Sequence, residues 1–131
     1  MPRVQCHNRR VSRPRLPRPR LVRVSGRSME PTLHEGDVLL ALWGARVEAG
    51  DVAVVRLPND SWGRPRPLSV KRVTGTDPGD PTRWWLDSDN PREGVTSFDV
   101  GSIAEEDVVA VVRARLRPRP RRVGGRHTPA R

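Results

Sequence analysis

Lysine occurs once in this 131-residue chain, at Lys71, although 25 residues are Lys or Arg. Cysteine also occurs once, at Cys6, so no intrachain disulfide and no cysteine-based metal site can form. Tyrosine is absent and phenylalanine occurs once, so any core must be small and built mainly from Val and Leu. The three histidines are His7, His34 and His127, spread from one end of the chain to the other, which argues against a histidine metal site. No cofactor is expected. Long apolar runs are missing too: the longest, Val38 to Trp43, is far short of a membrane span. The basic N-terminus has no apolar stretch after it, unlike a secretory signal. A cytoplasmic protein without an integral membrane segment is the expectation.

What is abundant is arginine, proline and glycine. With 14 Pro and 11 Gly, the composition argues against long helices. The net charge of +10 suggests a nucleic-acid binder until it is divided along the chain. Residues 1–20 hold seven arginines and no acid, and residues 113–131 hold eight arginines and no acid. Between them, ten basic residues face all fifteen acidic ones, so the middle carries a formal −5. Segments so rich in Arg and Pro bury too little apolar area to offset ordering entropy. The reading is a disordered arm over 1–20, one domain over 21–116 and a disordered basic tail over 117–131. The two tails are candidates for weak contact with acidic surfaces or nucleic acid.

The middle is punctuated like an all-β domain. Strands are expected over residues 21–25, 38–43, 52–57, 68–75, 83–86 and 108–112, with one helical turn over 103–107. The pair Gly36-Asp37 feeds one apolar run, and Gly50-Asp51 feeds the next. Residues 58–67, 76–82 and 87–101 read as loops. Short strands with regular turn signals favour a small mixed β-barrel or sandwich. Along residues 68–75, alternation puts Ser69, Lys71, Val73 and Gly75 on one face.

Two positions could carry chemistry. Ser28 sits in a small-residue turn, Ser25-Gly26-Arg27-Ser28, that Pro31 soon stops. Lys71 lies inside an apolar strand in a chain that otherwise uses arginine for every positive charge. Arginine stays protonated at any accessible pH, whereas a buried lysine can become neutral and act as a base. An unperturbed lysine, with a pKa of about 10.4, is deprotonated in only about one molecule in 2,500 at neutral pH. Full burial can lower that pKa by about 3–5 units. A serine nucleophile needs such a base near its hydroxyl and backbone N–H groups for the oxyanion. The N–H of Ser28 is the obvious donor, and Gly26 gives the backbone room to expose it. His34 is the rival base, six residues from Ser28 in a turn. As a pair, Ser28 Oγ and Lys71 Nζ are expected within about 2.6–3.2 Å, or looser without substrate.

These residues resemble a known family. Ser28-Met29-Glu30-Pro31-Thr32-Leu33 is similar to the S-M-x-P-T-L nucleophile motif of type I signal peptidases. Gly36-Asp37 and Gly50-Asp51-Val52 resemble its two strand entries, and Val70-Lys71-Arg72-Val73-Thr74-Gly75 its base motif. Asp89-Asn90, then Ser97 and Asp99, resemble its G-D-N…S-x-D segment, with Ser88 standing where Gly is usual. The resemblance implies a Ser–Lys dyad endopeptidase on the signal peptidase/LexA-like β fold. It makes Ser28 the nucleophile, Lys71 the general base, Ser97 the residue that orients the Lys71 amine and Asp99 a structural partner. Met29 would pack below the nucleophile and help line the cleft. The small size and the Trp84-Trp85 pair resemble the nickel-type superoxide dismutase maturation proteases, which implies a precursor with an N-terminal leader as substrate. Two alternatives stand beside this reading: a non-catalytic nucleic-acid-binding protein, and a LexA-like self-cleaving regulator.

Overall fold

The computed structural model describes residues 16–117 and 121–123. Eight strands form one curled antiparallel sheet, the small barrel-like all-β fold expected, with every strand pairing antiparallel. In chain order they are β1 (Arg18–Arg23), β2 (Val38–Trp43), β3 (Val52–Val55), β4 (Ser69–Asp77), β5 (Asp80–Asp87), β6 (Ile103–Ala104), β7 (Val108–Arg117) and β8 (Arg121–Arg122). Their order across the sheet is β1-β2-β7-β3-β4-β5-β6, and β8 pairs with β7. One short helix, α1, covers Ser97–Val100, and a single 3-10 turn covers Glu105–Asp107.

The continuous apolar run of β3 arises because this central strand is covered on both faces. Val52 and Val54 of β3 point into one cluster with Val24, Met29, Leu33, Leu39 and Val112. Ala53 and Val55 point into the other, with Val73, Leu86, Ile103 and Val111. A strand buried on both sides has no polar face to show, so its sequence loses the alternation that marks a half-exposed strand.

Three expected boundaries move. The loop over 76–82 is a tight hairpin instead: β4 and β5 pair to Asp77↔Asp80, and Asp77 Oδ1 caps the Gly79 N–H at 2.9 Å. The arm over 1–20 overlaps β1, which starts at Arg18. The tail over 117–131 overlaps the end of β7, all of β8 and the buried core residue Val123. The remaining tail residues, 1–15, 118–120 and 124–131, lie outside the described residues.

The basic C-terminal stretch therefore contributes to the fold. Asp37 and Asp51, each in a Gly-Asp turn, accept the N–H three residues back: His34 N–H at 2.9 Å and Glu48 N–H at 2.8 Å. Both carboxylates are buried, and β7 brings a cation to each. Arg115 reaches Asp37 at 3.7 Å and Arg113 reaches Asp51 at 3.9 Å. Arg115 is largely covered, with 13% of its side chain exposed, whereas Arg113 is 42% exposed. Each removal leaves a buried carboxylate, so the difference lies in the cation: the covered Arg115 acts with little screening, whereas the exposed Arg113 is screened by water. Arg115→Ala is expected to cost about 2 kcal/mol, and Arg113→Ala under about 1 kcal/mol, read from urea denaturation midpoints. Equal losses would contradict this ranking.

Candidate active site

The turn between β1 and β2 presents Ser28. Met29 and Leu33, each 1% exposed, anchor the turn from below in the first core cluster. Leu33 N–H donates to Met29 O at 2.9 Å, and Glu30 N–H donates to Arg27 O at 3.2 Å. Gly26 turns the chain at φ +85°, a conformation that costs glycine little and other residues more. Ser28 is half-buried, and neither its hydroxyl nor its backbone N–H makes a hydrogen bond among the described residues. Met29 packs in the first core cluster, and the cleft is lined by other residues.

Lys71 projects from β4, opposite Ala53 of β3 and on the same face as fully buried Val73. It is 3% exposed. Burial pulls its amine below the usual lysine range, because the charged form loses hydration. The carboxylates of Asp87 and Asp99 push the other way by favouring the ammonium. Lys71 Nζ donates to Ser88 Oγ at 3.1 Å. No direct hydrogen bond joins Nζ to Ser28 Oγ.

The two groups nevertheless converge, and Gly94 marks the point. A Cβ placed on Gly94 would lie 2.5 Å from Lys71 Nζ, 2.7 Å from Ser28 Cβ and 3.0 Å from Ser88 Oγ. Lys71 Nζ and Ser28 Cβ are thus no further apart than the first two of these distances together. Only a residue without a side chain can cross the site so closely, and Gly94 also holds φ +87°. The cleft around this point has a volume of about 370 Å³. Its walls include Ser25 and Gly26 on one side, Leu57 and Pro67 on another, and Glu93 and Val95 on the third.

Asp89 and Asn90 fix the relative position of these elements. Asp89 accepts Arg72 Nη2 at 2.7 Å and Nε at 3.1 Å, and its Oδ2 also accepts Thr32 Oγ1–H at 2.6 Å. Arg72 in turn donates to Gly50 O at 2.8 Å. Asn90 N–H donates to Ser28 O at 2.8 Å, and Asn90 Nδ2 donates to Arg27 O at 3.0 Å. The segment after β5 thus grips the Ser28 turn from outside while Met29 and Leu33 hold it from inside.

Ser97 and Asp99 take places of their own. Ser97 is buried at 3% exposure, and its hydroxyl accepts the Leu86 N–H at 2.8 Å. The hydroxyl that meets the Lys71 amine belongs to Ser88. Asp99 closes a capping box on α1, accepting the Thr96 N–H at 2.9 Å, and acts on Lys71 through its charge. His34 is exposed in its turn and does not line the cleft. Among the described residues no group of His, Cys, Asp and Glu could hold a metal ion, and no helix is long and apolar enough to cross a membrane.

Sequence reasoning missed Gly94, and named Ser88 and Asn90 within a motif without giving either a role in the site. Ser88 carried a signal, since it replaces an expected glycine. Gly94 carried none, because a glycine in a polar loop is ordinary turn chemistry.

Comparison with known proteins adds one finding. A family model described as signal peptidase, peptidase S26, matches residues 18–84, just over half of the chain and a span that contains Ser28 and Lys71. No curated protein and no solved structure matches the chain significantly.

Because Lys71 is the sole lysine, labelled lysine gives one side-chain signal to follow by NMR. Its titration midpoint is expected below the ordinary value of about 10.4. Asp87→Asn removes a charge that favours the ammonium, so it should move the midpoint lower still. A midpoint at the ordinary value, or one raised by Asp87→Asn, would refute the balance of burial and charge described here.

Proposed function

The chain belongs to the signal peptidase family, peptidase S26, and is a signal-peptidase-like serine protease; we propose that it cuts with Ser28 as nucleophile and Lys71 as general base. The single observation that carries this reading is the convergence of the two side chains at Gly94, with the amine buried and its pKa lowered. A neutral amine offers a lone pair to the Ser28 proton. Ser28 Oγ then attacks the scissile carbonyl, and the oxyanion develops near the N–H of Ser28, which has no partner among the described residues. As the tetrahedral intermediate collapses, the protonated amine returns its proton to the leaving nitrogen. The acyl-enzyme is released by a water that Lys71 deprotonates in the same way.

The substrate we propose is a cytoplasmic protein precursor that loses an N-terminal leader. The open cleft suits an extended chain segment. The resemblance of the Trp84-Trp85 strand to nickel-type superoxide dismutase maturation proteases makes such a precursor the first substrate to test. Leader removal read by mass spectrometry of the new N-terminus, in cells co-expressing chain and precursor, checks the whole reading. Lys71→Arg keeps the charge but cannot deprotonate, so it should lower kcat/KM by about 1,000-fold or more, as Ser28→Ala should. For the wild type, kcat/KM should rise with pH through the lowered Lys71 pKa, because only the neutral amine is a base. Full activity in either variant would sink the dyad.

A further inference from the structure

We propose that Ser88 is the residue that positions the Lys71 amine, accepting one of its N–H bonds so that the nitrogen lone pair faces Ser28. The inference rests on the dyad reading above. It assigns a role to a residue outside the span that the family model matches.

A neutral amine carries two N–H donors and one lone pair, and it rotates freely about its last bond unless a partner stops it. Ser88 Oγ, at 3.1 Å, is the hydrogen-bond partner that Lys71 Nζ has among the described residues. Ser88 is itself 8% exposed, so water competes little for that bond. Its place is fixed by the backbone: Ser88 N–H donates to Asp87 Oδ1 at 2.8 Å, and the next residue is Asp89, locked to Arg72. Gly94 closes over the other side, within contact distance of all three groups. The amine is therefore boxed between Ser88, Ser28 and the Gly94 backbone. With one N–H spent on Ser88, free rotation stops and the lone pair has two positions left, one of them the productive one toward Ser28. The Ser97 hydroxyl accepts the Leu86 N–H instead, and no hydrogen bond joins it to the Lys71 amine.

Other charged groups face the same cleft and belong in any test by pH. Asp87 and Asp99 act directly on Lys71. Arg27, Arg66 and Glu93 line the cleft wall. None of them is altered when Ser88 loses its hydroxyl, and Ser88→Ala removes one atom without adding any that could clash with Gly94.

The experiment uses the full chain with labelled lysine, in wild-type, Ser88→Ala and Ser97→Ala forms. A hydroxyl that accepts a hydrogen bond favours the ammonium over the amine. Ser88→Ala should therefore move the Lys71 midpoint to lower pH, while Ser97→Ala leaves it in place. The second readout is cleavage on the high-pH plateau, where Lys71 is neutral in every form. There Ser88→Ala should lower kcat by about 10-fold or more with KM nearly unchanged, the mark of lost orientation. The variant then has more neutral lysine near pH 7 and still reacts more slowly. An unmoved midpoint in Ser88→Ala overturns the contact. A moved midpoint with unchanged kcat overturns the positioning role. The NMR arm needs no substrate, so it stands or falls separately from the protease reading, which fails instead if Ser28→Ala still cleaves.

Discussion

The site depends on one carboxylate. Asp89 joins Arg72, the neighbour of Lys71 on β4, to Thr32 at the end of the Ser28 turn. Arg72 extends the link to Gly50 at the start of β3. Four segments far apart in sequence thus meet through one anion and one cation. Both partners are about four-fifths covered, with 21% and 17% of their side chains exposed. The pair therefore sits between a surface bridge, with a net worth of at most about 1 kcal/mol, and a buried one, where losing a partner costs about 3–5 kcal/mol. Its consequence is geometric as much as energetic. A fork of two hydrogen bonds fixes direction as well as distance, so β4 and the Ser28 turn cannot slide past each other without breaking it.

Much of this was legible in the sequence, for identifiable reasons. Lys71 stood out because arginine fills every other cationic position, and its strand alternation put it on one face with Val73, where the structure buries both. The run at 52–55 was plain because a strand covered on both sides is apolar throughout, and the run at 38–43 because even its part-exposed positions are apolar. The length of β7 was not legible. Its second half alternates Arg113, Arg115 and Arg117 with Ala114 and Leu116, and the eye takes such a stretch for a basic tail. Gly94 was hidden for a different reason. Its role comes from where the chain after β5 crosses the Ser28 turn, a contact between residues more than sixty positions apart, which no local pattern encodes.

The arginine-rich ends also look different once the sheet is known. Arg113 and Arg115 are the counter-ions of two buried aspartates, not part of a free basic arm. Some of the +10 charge that suggested nucleic acid is therefore spent inside the domain, at the turns that start β2 and β3. The same turns set the entry of the strands that carry the first core cluster, on which Met29 and the Ser28 turn rest. Composition, fold and site are linked at these points. A cation from β7 stabilises the turn, the turn sets the strand, and the strand supports the serine.

The central claim is that Lys71 activates Ser28, and it is tested most directly by following acylation of the protein with an activated peptide ester by intact mass across pH. A single acyl group on Ser28 is the result required, forming at a rate that rises through the NMR midpoint of Lys71 and collapsing in Lys71→Met. Acylation at another residue, or at Ser28 with the same rate and pH dependence in Lys71→Met, would contradict it.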